Sequence, residues 1–299
     1  MVRGAPPDRV TQSACATMRL RGAWGGHPRA VPLPQPAPDA TVLVTGASSG
    51  IGEALACELA ARGHNVTLIA RRRERLRTLA AALEEAHGIS VRFHVADLAT
   101  ARGRKTALAA VGGDGRVVSG LCNNAGVGRF GAFHEEEPKR LNALVALNVD
   151  AVHELTLALL PGMVERGEGA VLNVASILGH GPVPNNASYS ASKAFVLTLS
   201  EAIHTELWGT GVSCTAFSPG PVRTDAIAAS GVEELIPFSP GILFADIGGV
   251  ARAGVDAMES GRRTAVPGLA NQLFAAGSRY LPRTVTLPLS FAASKLKPS

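Results

Sequence analysis

The stretch that most limits how this chain can fold is a short apolar run that breaks into glycines. Ala40-Thr41-Val42-Leu43-Val44 passes directly into Thr45-Gly46-Ala47-Ser48-Ser49-Gly50-Ile51-Gly52, and a helical pattern then continues through Arg62. A continuously apolar run of this length suits a strand buried on both faces of a parallel sheet. A glycine-rich turn between such a strand and a helix turns backbone N–H groups and a helix N-terminus toward a phosphate. Gly46 permits the tight turn, Gly50 lets a pyrophosphate approach, and Gly52 lets helix and strand pack. Ser48, Ser49 and Ile51 share the turn and join them as candidate cofactor contacts.

A second buried strand is expected at 65–70 and further strands at 91–95, 117–122, 170–175 and 212–217, with a short one at 264–266. Helical patterns separate them at 72–86, 139–164, 248–259 and 269–281. Pro161 should kink or shorten the long helix at 139–164. The second strand ends in Ala70-Arg71-Arg72-Arg73. An acid at this place selects NAD by holding the ribose 2′-hydroxyl, whereas arginine suits the 2′-phosphate of NADP. Arg71 and Arg72 therefore favour NADP(H) over NAD(H), and a solvated helix start accounts for Arg73 and Arg75. After the third strand, Asp97 suits either an adenine amino group or the cap of the next helix, with Leu98 beside it. The fourth strand ends in Asn123-Asn124-Ala125-Gly126, where two amides can brace the central strands and border a ligand.

A second constellation lies further on. Ser176 ends the fifth strand, and a Gly/Pro loop then leads to a helix opening near Asn186. Tyr189 and Lys193, four apart, share one face of that helix. Hydroxyl, phenol and ammonium gathered at one point suit proton transfer to or from a carbonyl oxygen. A free tyrosine titrates near pH ~10, and a neighbouring cation should lower that value. Asn148, between Leu147 and Val149, must find polar partners, which reads as a stabilised bend or an ordered water. After the sixth strand, Pro219-Gly220-Pro221-Val222-Arg223-Thr224 can fold over a nicotinamide, with Thr224 near its carboxamide. Residues 225–247 read as a substrate lid or as a surface loop. Ile236, Phe238, Leu243 and Phe244 there suggest an apolar substrate.

Composition excludes other classes. With 46 % apolar and 18 % charged residues the chain is globular rather than disordered. No apolar run approaches about 18 residues, so no transmembrane segment is expected. The net charge is +5, but the arginines are dispersed and only thirteen aromatics are present, so no nucleic-acid surface is expected. Cys15, Cys57, Cys122 and Cys214 form no Cys-x-x-Cys pair. They read as reduced thiols of a cytoplasmic protein. No metal-ligand spacing emerges. Residues 1–38, with seven prolines, five arginines and one acid, read as a disordered leader, and 286–299 as a flexible basic tail.

Over about 240 residues, Thr41 through Leu281, the chain resembles the short-chain dehydrogenase/reductase family. The motifs are Thr45-Gly46-x-x-x-Gly50-Ile51-Gly52, Asn123-Asn124-Ala125-Gly126, Asn148, Ser176, Tyr189-x-x-x-Lys193 and Pro219-Gly220, in the family's order. The resemblance implies an α/β class, with a Rossmann-like, doubly wound, seven-stranded parallel sheet forming a single domain over 39–285. It implies an NADP(H)-dependent oxidoreductase acting on an apolar carbonyl or alcohol. Ser176 would hold the substrate oxygen, and Tyr189 would exchange a proton with it. Lys193 would bind the nicotinamide ribose and lower the Tyr189 pKa, and Asn148 would hold a relay water. Many relatives are homodimers or homotetramers. An NAD-dependent alcohol dehydrogenase of this fold and a non-catalytic NADP-binding interaction protein are the alternatives.

Overall fold

The structure is a computed structural model that describes residues 31–222 and 245–295. Seven strands form one parallel sheet: β1 (Ala40–Thr45), β2 (Val66–Ala70), β3 (Val91–Val95), β4 (Val117–Asn123), β5 (Gly169–Val174), β6 (Val212–Phe217) and β7 (Thr264–Ala265). Their order is β3-β2-β1-β4-β5-β6-β7. The helices are α1 (Gly50–Ala61), α2 (Arg73–His87), α3 (Ala101–Gly113), α4 (Pro138–Val145), α5 (Ala151–Arg166), α6 (Ala187–Glu206), α7 (Ile247–Glu259), α8 (Leu269–Tyr280) and α9 (Arg283–Lys295).

Two-residue alternation along each strand divides the core into two layers. Val42, Val44, Leu68 and Cys122 face α1, α2 and α7, packing with Leu55, Leu59, Leu76 and Val255. Leu43, Ile69, Leu121 and Val171 face the other way, against Val111 of α3 and Leu155 and Met163 of α5. Both faces of the central strands are therefore covered, which is why β1, β2 and β5 read as largely apolar runs, while the edge strand β3 is only partly buried. β1 has β2 on one side and β4 on the other, so successive crossovers leave its carboxyl end in opposite directions. The crevice opened there is where an α/β sheet of this topology presents its ligand site.

A polar brace crosses the centre of the sheet. Asn123 and Asn173 are register partners on β4 and β5. Asn123 Nδ2 donates to Asn173 Oδ1 at 2.9 Å and to Thr156 Oγ1 at 3.0 Å, and Asn173 Nδ2 donates to Ser200 Oγ. Every member is buried and partnered, which is what makes such a network affordable inside a core.

Four expectations need correction. The long helix is not broken at Pro161, which α5 absorbs; its irregularity is a π-helical turn over Ala146–Asp150, centred on Asn148. That amide bonds to a neighbouring loop, and a wide turn accommodates the diversion. Second, the stretch Pro138–Arg166 is long and apolar enough to span a bilayer by composition, with a mean hydropathy of 1.6 over its best window. It nevertheless packs on β4 and β5 through Ala151, Val152, Leu155 and Met163, and Glu154 on it forms a two-point ion pair with Arg104. Third, residues 31–38 are not loose: Leu33 is buried in the core, and Asn65 Nδ2 donates to the Ala37 carbonyl at 3.0 Å. Fourth, residues 286–295 of the expected flexible tail 286–299 are helical in α9, and 296–299 lie outside the described residues. The remainder of the expected leader, most of the lid and Cys15 lie outside the described residues. The three described cysteines are free thiols, and burial pushes Cys122 and Cys214 up to about 12.

Candidate active site

The described site residues stand at the carboxyl ends of β1 to β6, in the π-helical turn before α5 and in the first turns of α6. Gly46, at φ +69°, turns the chain out of β1, and Gly50 opens α1 at φ +62°; both are left-handed values that glycine tolerates best. Gly52 carries no conformational demand but a steric one. A Cβ there would lie 2.3 Å from Asn124 Nδ2 and 2.5 Å from the Gly46 carbonyl oxygen.

One hydroxyl, not singled out among the candidate contacts, joins this turn to β4. Thr45 Oγ1 accepts from the N–H groups of Asn124 and Ala125, each at 3.0 Å, and Asn124 Nδ2 donates to the Thr45 carbonyl at 3.0 Å. The signal was its place at the head of the glycine motif. Of the two arginines after β2, Arg72 reaches the turn. Its Nε donates to Ser48 Oγ and its Nη2 to the Ser48 carbonyl, each at 3.1 Å, and it also bonds Ser49 Oγ. Arg71 is exposed. Asp97 is exposed too; its carboxylate accepts from Ala99 N at 3.1 Å, while Thr100 caps α3. Leu98 is buried, and its carbonyl accepts from Arg104.

Ser176 follows β5 in extended conformation, and its Oγ accepts from Leu178 N at 3.2 Å, which orients it. Its hydroxyl stands near enough to the Tyr189 phenol to pull that group's pKa down. Tyr189 lies in the first turn of α6, where unsatisfied N–H groups favour negative charge. Lys193, one turn on, is buried; its Nζ donates to the Val174 carbonyl at 2.7 Å and lies 5.8 Å from the Tyr189 ring centroid. The hydroxyl, phenol and ammonium therefore do converge.

The expected electrostatics do not hold in this state. Burial raises the Tyr189 pKa above its ordinary value, with the Ser176 hydroxyl pulling the other way. Burial also penalises the Lys193 charge and lowers its pKa to about 8. The ammonium spends its shortest bond on a carbonyl rather than on the phenol.

Asn148 is fully buried. Its Oδ1 accepts from Val127 N at 3.0 Å, and its Nδ2 donates to the Val127 carbonyl and to Ser192 Oγ, each at 3.0 Å. Ser192 in turn donates to the Tyr189 carbonyl at 2.7 Å. Asn148 thus clamps the loop after β4 to α6 and is the stabilised bend the residue pattern allowed. Ser192 carried no signal beyond standing next to Lys193. Gly126 closes the arrangement, since a Cβ there would lie 3.2 Å from Asn148 Oδ1 and 3.4 Å from Lys193 Nζ.

Beyond β6, the Pro219 carbonyl accepts from Ile177 N at 3.1 Å, Gly220 lies tight against Asn271, and Val222 packs in the core. His180, whose Nε2 meets Ser218 Oγ at 3.2 Å, ties the turn after Ser176 to the end of β6. Thr224 and the four apolar lid residues lie outside the described residues. A cavity of about 470 Å³ lies between the loop 179–184, α6 and α9. Its α6 residues, Ala187, Ser190, Ala191 and Ala194, occupy the far side of the helix from Tyr189 and Lys193, so it is separate from the converging hydroxyls. The small cleft that does border Tyr189 is lined by Arg129, Phe133, Glu136 and Asn186 among others.

Residues 40–234 match the family model described as short chain dehydrogenase. A very-long-chain 3-oxoacyl-CoA reductase of Anas platyrhynchos is 35 % identical over 189 residues, covering 62 % of this chain. The chain spans 60 % of the length of that relative and of a second curated one. A short-chain dehydrogenase from Sphingobium yanoikuyae, solved with NADPH, superposes with a TM-score of 0.71 at 30 % identity, covering 87 % of this chain and 97 % of its own. A bulky-bulky ketone specific alcohol dehydrogenase from Comamonas testosteroni gives 0.68 at 29 % identity, covering 81 % and 98 %.

Proposed function

This chain belongs to the short chain dehydrogenase family, and from that membership we propose that it is an NADP(H)-dependent oxidoreductase interconverting a carbonyl and an alcohol on an apolar small molecule. The observation that carries the reading is the convergence of Ser176, Tyr189 and Lys193 beside the glycine cradle of Gly46, Gly52 and Gly126. A cradle whose walls leave no room for a Cβ suits a flat, extended dinucleotide, and Arg72 beside Ser48 supplies charge for a 2′-phosphate. Thr45 and Asn124 fix the turn's width. The dinucleotide, when bound, supplies or takes up a hydride.

The chain's own residues divide the remaining work. Ser176 Oγ holds the substrate oxygen. The Tyr189 phenol donates a proton to that oxygen in the direction of reduction and takes it back in oxidation. Lys193 exchanges its bond to the Val174 carbonyl for ribose hydroxyls, and its charge then assists the phenolate. Asn148, through Val127 and Ser192, keeps the loop and helix in register, and its role in holding a relay water belongs to this proposal. Asp97, Leu98, Ala125, Pro219, Gly220, Val222 and Thr224 complete the proposed cofactor contacts. Printed names of relatives, a very-long-chain oxoacyl reductase and a bulky ketone enzyme, support an apolar substrate.

We place the enzyme in the cytoplasm, on its free thiols. We take it to be a homodimer or homotetramer, on the exposed Leu157, Val164 and Phe195 of α5 and α6. Titration with NADPH and NADH, followed by assay against apolar ketones, tests the reading. Tight NADPH binding without turnover of any ketone or alcohol would favour a binding protein, and equal affinity for the two cofactors would favour the NAD-dependent alternative.

A further inference from the structure

The turn that carries Ser176 is fastened to the end of β6 on both sides of that serine. Ala175 N donates to the Phe217 carbonyl at 2.7 Å, and Ile177 N to the Pro219 carbonyl at 3.1 Å. These backbone bonds hold the near end. The far end of the turn Ile177–His180 is reached by a side chain, where His180 Nε2 and Ser218 Oγ share a hydrogen bond at 3.2 Å. Ser218 is itself fixed, being fully buried and donating its N–H to the Ala265 carbonyl on β7 at 2.8 Å.

This turn sets the reacting end of the crevice. Leu178 N donates to Ser176 Oγ and Gly179 N to the Ser176 carbonyl, so any tilt of the turn carries the serine hydroxyl with it. Gly179 also abuts α6, where a Cβ would lie 2.8 Å from the carbonyl carbon and oxygen of Lys193. A shift at His180 therefore reaches the hydroxyl and the lysine together. His180 is buried, and a buried ring nitrogen needs a partner. Burial lowers its pKa, Arg279 of α8 adds to that, and Glu201 of α6 opposes it. The ring is thus neutral at ordinary pH and suits an uncharged hydroxyl. An apolar side chain could fill the same space, but it would leave Ser218 without this bond and the turn without a fixed direction.

We propose that His180 is a positioning residue for the reaction, its hydrogen bond to Ser218 holding the turn Ile177–His180 and thereby the place of Ser176 Oγ beside Tyr189. It acts through Ser176 and takes no proton from the substrate. The effect on rate rests on the oxidoreductase reading, whereas the effect on the turn rests on this geometry alone.

The test compares His180→Ala, Ser218→Ala, the double substitution and His180→Gln in the full chain, assayed well below the melting transition. Each alanine variant should lower kcat on an apolar ketone by about tenfold to a hundredfold, the effect of a small misplacement at a reacting centre, with NADPH affinity by fluorescence little changed. The double substitution should cost no more than either single one, because the two residues share one bond. Glutamine, whose Nε2 can reach the same hydroxyl, should restore most of the rate. Amide hydrogen exchange over residues 177–180 should quicken in the alanine variants and not in His180→Gln. Should His180→Ala fail to fold, Ser218→Ala and His180→Gln carry the same comparison. Losses that multiply in the double variant, a glutamine variant as slow as the alanine one, or an undiminished kcat in Ser218→Ala overturn the proposal. If the natural chain turns over no ketone or alcohol, the oxidoreductase reading fails, and the exchange comparison still decides whether His180 holds the turn: unchanged exchange overturns it.

Discussion

Lys193 Nζ lies 2.7 Å from the Val174 carbonyl and 5.8 Å from the centre of the Tyr189 ring, so the ammonium is anchored to the strand that delivers Ser176 rather than to the phenol it is expected to assist. That anchor fixes the distance between β5 and α6 at the reacting end of the crevice. It also keeps a buried cation within one short exchange of partners from the tyrosine.

Replacing Tyr189 by phenylalanine removes the proposed acid and leaves ring packing intact. Turnover should fall by about 10²–10⁴-fold, the usual worth of a positioned acid–base group, while NADPH affinity by fluorescence changes little. A variant retaining most of its rate would remove the phenol from the mechanism.

The depressed Lys193 pKa has a defined consequence for stability. Its folded value, about 8, lies below the ordinary 10.5, so between those pH values the unfolded chain holds the proton and the folded chain does not. Stability attributable to this group therefore rises as pH climbs from 8 toward 10.5, and below 8 the folded state carries the full cost of the buried charge. Urea midpoints at pH 7.5 and 9.5 for the natural chain and Lys193→Met should show that rise only in the former. Parallel pH dependence in both would contradict the assignment.

Arg72 bonds both serines of the glycine turn. Arg72→Ala should raise the NADPH Michaelis constant by about tenfold or more, the loss expected for one charge-assisted hydrogen bond, and leave NADH nearly untouched. The same change at exposed Arg71 should do less. Reversal of that ranking would return the selectivity role to Arg71.

Asn148→Ala leaves the Val127 N–H and carbonyl without their buried partner. The cost should be about 2–3 kcal/mol, lowering the melting temperature by about 4–10 °C in a domain of this size. Activity measured well below the transition separates this clamp from a relay role. Loss of rate with melting unchanged would assign the residue to proton transfer alone.

The central strands were legible because a sheet covered on both faces demands largely apolar runs, as β1, β2 and β5 show; β3, Val91-Arg92-Phe93-His94-Val95, is a half-exposed edge strand. The convergence of Ser176, Tyr189 and Lys193 followed from a strand end and a four-residue helical spacing, both of which are local rules. What could not be read were partners supplied by chain distant in sequence. Thr45 meets β4 across nearly eighty residues, and Lys193 is drained toward Val174 by burial, which no local pattern encodes. Pro161 looked like the break in the long helix, yet the diversion came from Asn148, whose partner Val127 lies in another element. Arg72 outranked Arg71 for a similar reason, since only the folded turn decides which guanidinium reaches Ser48.

Thr45 has a wider consequence. Because one hydroxyl receives both N–H groups at the exit of β4 while its own carbonyl holds Asn124, the phosphate end and the reacting end of the crevice are cut to a single gauge. A change that lets β4 slide along β1 would mis-space both ends at once, so any redesign of this chain toward a longer or shorter dinucleotide must begin at that threonine.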